Sequence, residues 1–228
     1  MRIKICGVTR GEDAEAAVEA GAWAVGLNFY PESPRRIELD AAELIGASLQ
    51  RRTEVAGVFV NASLGHVTEV AERCRLSLVQ LHGDEGPSYC DEIARRTGCE
   101  VIKAFRVRSL AEVRGAGAFR TNYHLFDAYR PGTPGGTGES FDWELVKARK
   151  GGVPAIVAGG LTPENVGEAI AASNPWAVDV AGGVEDGVAG VKDHDRLAQF
   201  IAAAGRAAAE LRGVPPEPST EPAESATA

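Results

Sequence analysis

The segment AIVAGGLTPENV, residues 155–166, contains the pattern on which the fold prediction rests. Its four leading apolar residues indicate a buried strand, and Gly159 with Gly160 indicates a turn. Pro163, directly after Thr162, is typical of the first position of a helix. The segment therefore predicts a strand that is followed by a helix.

Apolar runs of this kind occur eight times, with starts that lie 21–32 residues apart. The runs are continuous instead of alternating, which is typical of strands that are covered on both faces. They begin near Ile3, Ala24, Val55, Leu78, Val101, Tyr123, Ala155 and Trp176.

Helix signals lie between the apolar runs. Thr9 with Glu12 and Ser109 with Glu112 have the spacing of capping boxes. Other helices are predicted from Asp40, from Pro87 to Gly98 and from Asp193 to Arg212. Eight strand–helix units favour an α/β protein with a single (βα)8 TIM barrel. An open doubly wound sheet is the alternative, because periodicity does not show that a sheet closes.

The composition is that of a globular protein with a polar tail. The 228 residues are 44% hydrophobic and 25% charged. Residues 213–228, GVPPEPSTEPAESATA, contain three Glu, no basic residue and no apolar period. We therefore expect a barrel catalytic domain at residues 1–212 and a disordered tail at residues 213–228.

The charge balance argues against two classes of binding partner. The chain has 24 Lys and Arg against 32 Asp and Glu, a net charge of −8. This balance speaks against binding of nucleic acid or an anionic membrane, which require a basic face. A small phosphorylated molecule could still bind at a local basic patch.

The cysteines and the N-terminus indicate a reducing compartment. Cys6, Cys74, Cys90 and Cys99 form no CxxC pair and have no metal-ligand spacing, so we expect no metal site. The start, MRIKICGVTRGEDAE, has no apolar signal segment, and no run reaches the ~18 apolar residues of a membrane span. We therefore predict a cytoplasmic protein whose thiols are mostly packing groups.

Candidate functional groups follow the predicted strands, because the active site of such a barrel lies at the carboxyl ends of its strands. The positions there are Cys6 at the end of strand 1, Arg35 after strand 2, Asn61 after strand 3, His82 after strand 4, Arg106 at strand 5, Asp127 at the end of strand 6, Gly159 and Gly160 at the end of strand 7, and Ala181 and Gly182 at the end of strand 8. Small residues after strands 7 and 8 expose backbone N–H groups that can bind phosphate. Gly136, in the long loop after strand 6, can add another. Tight turns alone are the simpler explanation of any one glycine pair.

The order around the barrel suggests a reaction type. Strands 6, 7, 8, 1 and 2 are neighbours, so the mouth presents Asp127, two phosphate loops, Cys6 and Arg35 in turn. An acid and a base on either side of one small molecule are suited to proton-shuttling isomerisation. Taken singly, Cys6 could be core packing, Asp127 a cap and Arg35 a solvated surface charge.

These residues resemble the phosphoribosylanthranilate isomerase family. The matching blocks are KICG at residues 4–7, FYPESPR at 29–35, QLHG at 80–83, GGTGxxFDW at 135–143, AGGLTPENV at 158–166, VDVAGGVE at 178–185 and GVKD at 190–193. The blocks occur in order over residues 1–204 and leave only the tail unmatched.

The resemblance implies a cofactor-free Amadori rearrangement of N-(5′-phosphoribosyl)anthranilate in tryptophan biosynthesis. It makes Asp127 the general acid that opens the ribose ring, and Cys6 the general base that removes the C2′ proton. Arg35 would bind the anthranilate carboxylate. The other expected substrate-binding positions are His82, Gly136, Gly159, Gly160, Ala181 and Gly182.

These roles place demands on two pKa values. The site must lower the pKa of Cys6 from about 8.5, and Asp127 must stay protonated although a free Asp has a pKa of about 3.9. Lys4 is near Cys6 in sequence, but with strand alternation we expect that its side chain need not approach the thiol.

The chain departs from the family pattern at two places. Ala181 and Gly182 stand where relatives usually carry two serines, so two hydroxyl donors are lost and we expect weaker phosphate binding. Glu139 places a negative charge where many relatives carry a base.

Two other functions are compatible with a phosphosugar barrel. A histidine-pathway or dual-substrate isomerase would use an aspartate at the end of strand 1, where this chain has Cys6. A non-catalytic phosphate-binding barrel would not need Cys6, Asp127 and Arg35 together. Whether the protein is a monomer or a homodimer is left open by the sequence.

Overall fold

Eight parallel strands form a closed barrel in the computed structural model, which describes residues 1–127, 143–149 and 151–213. Each strand pairs with the next, and the last pairs with the first. The strands are β1 (Arg2–Cys6), β2 (Ala24–Asn28), β3 (Glu54–Phe59), β4 (Leu78–Leu81), β5 (Glu100–Arg106), β6 (Tyr123–Asp127), β7 (Ala155–Ala158) and β8 (Ala177–Val180). The barrel prediction is confirmed, and the open sheet is excluded.

Helices surround this barrel. They are α1 (Gly11–Glu19), α2 (Leu39–Leu49), α3 (Leu64–Arg73), α4 (Pro87–Thr97), α5 (Leu110–Gly115), α6 (Val166–Ser173) and α7 (His194–Leu211). Short 3₁₀ helices occur at Ala116–Ala118, Trp143–Ala148 and Gly182–Val184. Residues 214–228, nearly all of the predicted tail, lie outside the described residues.

Several helix ends agree with the sequence signals. Ser109 and Glu112 form a capping box at α5. Gly98 ends α4 in the left-handed conformation with φ 68°, and the Asp193 side chain accepts a hydrogen bond from Arg196 N at 3.0 Å to begin α7. The predicted start at Asp40 is one residue late, since α2 begins at Leu39.

Two helix starts were predicted wrongly, and at the first of them a contact with a distant residue takes the capping hydroxyl. The Thr9 hydroxyl donates to the carbonyl of Gly190 at 2.8 Å, so α1 begins at Gly11 with no side-chain cap. Pro163 lies in a turn, and α6 begins at Val166.

Strand alternation sorts the apolar side chains into two layers. On β7, Ala155 and Val157 belong to the outer layer that packs against the helices. Ile156 and Ala158 belong to the small cluster inside the barrel. At the amino end of the strands Trp23, Tyr123 and Trp176 pack against one another, with Trp23 and Trp176 centroids 4.9 Å apart. This aromatic cluster fills that end, which leaves the carboxyl end for the site.

Asp13 on α1 joins the first unit of the barrel to the last. Its buried carboxylate accepts hydrogen bonds from Arg10 Nη2 at 2.7 Å, from His194 Nε2 at 2.9 Å and from the backbone N–H of Lys192 at 3.1 Å. Burial opposes its charge, but the hydrogen bonds from Arg10, His194 and Lys192 are stronger together and lower the pKa of Asp13. The ionised carboxylate therefore stabilises the closed fold.

Asp13→Ala is expected to lower the free energy of unfolding by about 2–3 kcal/mol at pH 7, because it removes a charged acceptor with several buried donors. The lowered pKa means that this contribution is present above pH 3.8, the ordinary value, and is lost as the pH falls through the folded-state value. Urea denaturation at pH 7 and below pH 4 measures both effects.

Glu15→Gln on the same helix is the matched control, since Glu15 pairs with Arg52 at the surface and should change stability by less than about 0.5 kcal/mol. A loss for Asp13→Ala that is equally small, or one that grows in acid, would contradict the assignment.

Candidate active site

A cavity of about 860 Å³ lies at the carboxyl ends of the strands. Every predicted site residue that the structure describes lines it, namely Cys6, Arg35, His82, Asp127, Gly159, Gly160, Ala181 and Gly182. Asn61 and Arg106, which also follow strands, do not line this cavity. Gly136 and Glu139 lie outside the described residues.

Cys6 lies beside a buried ion pair. Lys4 Nζ donates to Asp179 Oδ1 at 2.9 Å, and the Lys4 side chain has no exposed surface. A Cβ atom placed on Gly26 would lie 2.9 Å from Cys6 Sγ and 3.1 Å from Lys4 Nζ, so the thiol and the ammonium group border the same point. The expectation that Lys4 need not approach the thiol is wrong, because residues two apart on a strand share a face.

The surroundings of Cys6 act on its pKa in opposite directions. Burial raises the pKa of the Cys6 thiol, and the charge of Asp179 raises it further. The ammonium groups of Lys4 and Lys192 lower that pKa without cancelling the effect of burial. The expectation of a lowered pKa is therefore wrong on balance for the residues described, since desolvation penalises the thiolate.

The other cysteines behave as packing groups. Cys74, Cys90 and Cys99 are buried in the outer hydrophobic layer. Burial raises the pKa of Cys74 and of Cys90 to about 11. None of the three lines the cavity.

Asp127, at the end of β6, is hydrogen-bonded to His82. His82 Nε2 lies 3.1 Å from Asp127 Oδ2, and Gln80 Nε2 lies 2.9 Å from His82 Nδ1. With the Gln80 amide donating to Nδ1, the other ring nitrogen carries the proton and donates to Asp127 Oδ2. His82 and Gln80 thus orient Asp127 from the floor of the cavity.

Arg35 is bound to Glu185, which the sequence analysis did not single out. Arg35 Nε and Nη2 each donate to a Glu185 carboxylate oxygen at 2.7 Å. Lys192 Nζ also donates to Glu185 at 3.0 Å. The hydrogen bonds to Glu185 raise the pKa of Arg35. Glu185 and Lys192 lie after β8, where no strand pattern marks them as site residues. Glu185 ends the block VDVAGGVE, and Lys192 belongs to the block GVKD.

Gly7 allows Arg35 to reach the cavity. It has φ 69°, and a Cβ atom on it would lie 2.5 Å from Arg35 Cδ. Gly7 is therefore required both by the left-handed conformation and by the close approach of this arginine.

The loops after β7 and β8 pack on each other. A Cβ atom on Gly183 would overlap the carbonyl oxygen of Leu161. Asn165 receives a hydrogen bond from Thr162 N at 2.8 Å and donates to Gly160 O at 2.9 Å, which fixes the first loop. Arg196 from α7 lines the cavity and donates to Gly183 O at 3.3 Å, which places a cation at these loops.

The described residues include neither a metal-binding cluster nor a helix that could span a membrane. Within residues 1–127, 143–149 and 151–213, no group of three His, Cys, Asp or Glu side chains is arranged to hold a metal ion. No helix in that part of the chain is long and apolar enough to cross a membrane.

Comparison with known proteins identifies the family. The family model for N-(5′-phosphoribosyl)anthranilate (PRA) isomerase matches residues 3–203. The N-(5′-phosphoribosyl)anthranilate isomerase of Geobacter metallireducens is 48% identical over 201 residues, which cover 88% of this chain and 97% of that protein. The crystal structure of the phosphoribosyl anthranilate isomerase from Thermotoga maritima has a TM-score of 0.82 and 40% identity, with 90% of this chain and 99% of that chain covered.

A further solved structure is of a phosphoribosyl anthranilate isomerase in complex with reduced 1-(o-carboxyphenylamino)-1-deoxyribulose 5-phosphate. Its TM-score is 0.78 and its identity is 38%, with 90% of this chain and 99% of that chain covered. The resemblance seen in the sequence is thus confirmed along the barrel, and the chain belongs to the N-(5′-phosphoribosyl)anthranilate isomerase family.

Proposed function

We propose that this chain converts N-(5′-phosphoribosyl)anthranilate to 1-(2-carboxyphenylamino)-1-deoxyribulose 5-phosphate in tryptophan biosynthesis. The observation that carries the proposal is the cavity shared by Cys6 and Asp127, between the two glycine loops and Arg35. The relative with a bound ligand supports it, because that ligand also has a phosphate at one end and an aryl carboxylate at the other.

The reaction consists of two proton transfers by enzyme side chains, followed by a tautomerisation. Asp127 gives a proton to the ribose ring oxygen, the bond from that oxygen to C1′ breaks, and the anthranilate nitrogen forms an iminium with C1′. The Cys6 thiolate then removes the C2′ proton, and the electron pair moves into the C1′–C2′ bond to give an enolamine. Loss of the C2′ hydroxyl proton and protonation of C1′ give the ketone. No external oxidant or cofactor takes part.

The iminium makes a weakly populated thiolate sufficient. Burial raises the pKa of Cys6, so only a small fraction of the thiol is ionised at neutral pH. The cationic iminium acidifies the C2′ hydrogen and attracts the thiolate as the proton is transferred.

Arg35 is the proposed partner of the anthranilate carboxylate. A guanidinium group has five N–H donors, and Arg35 uses those of Nε and Nη2 on Glu185. Its Nη1 group can therefore meet the substrate while Glu185 holds the plane of the guanidinium. The loops at Gly159, Gly160, Ala181 and Gly182, with His82 and Gly136 as further binding positions, bind the rest of the substrate.

We also infer the setting in which the enzyme acts. The net charge of −8 speaks against nucleic acid and membrane partners. Arg35 and Arg196, which line the cavity, support a small phosphorylated substrate. We propose a cytoplasmic monomer or homodimer, with the catalytic barrel at residues 1–212 and residues 213–228 outside it.

Cys6→Ala and Asp127→Asn are each expected to reduce kcat by about 10²–10⁴-fold, since each removes one proton-transfer group. Turnover is measured as the loss of the fluorescence of phosphoribosylanthranilate, which is generated in situ. In the wild type kcat/KM should rise as the pH is raised above 7. The raised pKa of Cys6 leaves the thiol largely protonated at neutral pH, and more of it ionises at higher pH.

Cys90→Ala and Asp84→Asn are the matched controls, because neither residue lines the cavity. Both should keep activity within about twofold once folding is verified. Turnover that survives in Cys6→Ala, or a wild type that is folded but inactive, would refute the proposed reaction.

Ala181→Ser is expected to lower KM by about three- to tenfold, because a hydroxyl donor to a phosphate adds a charge-assisted hydrogen bond. Gly182→Ser should have a smaller effect, since its Cβ would lie 3.1 Å from Arg35 Nη2 and displace that group. Ala202→Ser, on the exposed side of α7, is the control. A KM for Ala181→Ser that equals the wild-type value would show that the serine is not needed.

A further inference from the structure

Lys4 is a buried cation that the proposed reaction does not use. Its side chain has 0% exposed surface, and Asp179, with 8%, is its ion-pair partner at 2.9 Å. Removing two charges from water is costly, so an ion pair of this kind adds little stability compared with apolar packing. Its position inside the barrel, next to the cavity, therefore calls for a role other than stabilising the fold.

The geometry connects this pair to the thiol. Lys4 and Cys6 lie on the inward face of β1, and Gly26 opposite Cys6 on β2 has no side chain that could separate them. The Lys4 ammonium group donates to Asp179, and its positive charge also acts on Cys6, whose ionised form it favours. It thus stands between the carboxylate of Asp179 and a thiol that becomes an anion only when it loses its proton.

We propose that Lys4, held in place by Asp179, is a positioning residue that stabilises the thiolate form of Cys6 for proton abstraction. This inference rests on the proposed function, in which Cys6 is the base. Lys4 borders the thiol and does not line the cavity, so it acts through Cys6.

Other charged groups near Cys6 make the direction of each effect predictable. Asp179 on β8 opposes ionisation of the thiol, and Lys192 favours it. Arg35, beyond β2, also faces Cys6 but is bound to Glu185. Lys4 acts twice, because its charge attracts the thiolate and also neutralises Asp179. Loss of Lys4 should therefore disfavour the thiolate, whereas loss of the Asp179 charge should favour it.

The test is the pH dependence of Cys6 alkylation by iodoacetamide in the full-length chain, followed by mass spectrometry of the Cys6 peptide. Lys4→Met should slow alkylation at pH 8 by about tenfold or more, because an opposite charge at this range moves a pKa by at least about one. Asp179→Asn should accelerate it, and the double variant should lie between the two. A merely structural role would change both single variants in the same direction.

Lys103→Met is the matched control. Lys103 on β5 is also buried and paired, with Glu85 at 2.7 Å, but it does not line the cavity of Cys6. Its loss should reduce stability without changing the alkylation profile of Cys6. If Lys4→Met fails to fold, Asp179→Asn alone decides the question, since unchanged or slower alkylation in that variant overturns the proposal.

Kinetics separate this inference from the proposed function. Lys4→Met should lower kcat with little change in KM, and raising the pH should restore part of kcat. An alkylation profile of Cys6 that is the same in Lys4→Met as in the wild type overturns the role of Lys4, even if turnover depends on Cys6. A shifted profile in an enzyme that does not turn over phosphoribosylanthranilate would uphold thiolate stabilisation and refute the substrate.

Discussion

The ion pair of Lys4 and Asp179 lies at the seam where the barrel closes. The two residues are opposite each other in the register of β1 and β8, the first and last strands. Closure of the sheet brings the ammonium group against the carboxylate, and the same register brings Cys6 next to the loop after β8. The charge environment of the thiol is therefore a consequence of barrel closure and not of any local motif.

The rest of the site depends on how glycines permit close packing around this seam. Gly7 admits Arg35, Gly26 leaves room beside the thiol, and Gly183 lets the loop after β8 pack on the loop after β7. A side chain at any of these positions would separate groups that must act on one small molecule. Glu185 then connects Arg35 with Lys192, so the anionic and cationic groups beyond β8 form one network with the end of β2.

The sequence predicted the strands well because their signal is local. Continuous apolar runs identified all eight strands, and the barrel rule placed Cys6, Arg35, His82 and Asp127 in one cavity. Contacts between distant segments were not predictable in the same way. Thr9 lost its capping role to Gly190, which lies far along the chain, and the partnership of Arg35 with Glu185 requires the two loops to meet.

Lys4 illustrates a different kind of wrong prediction. The period of two, which the prediction overlooked, places its side chain on the same strand face as Cys6, but its effect on the thiol depends on Asp179, which the closed barrel brings near. Burial of Cys6 likewise raises its pKa, whereas its proposed role as a base is favoured by a lower one. The sequence does not show whether burial or the neighbouring ammonium groups have the larger effect. The reactive group was therefore predictable, whereas the electrostatic balance around it required the structure.

The most direct test of this account compares turnover of ordinary phosphoribosylanthranilate with that of substrate carrying deuterium at C2′, in the Lys4→Met enzyme. If Lys4 assists Cys6, removal of the C2′ proton limits this variant, and the deuterated substrate reacts more slowly than the ordinary one. Equal rates for the two substrates in a slowed variant would mean that Lys4 acts on another step, and would contradict the account.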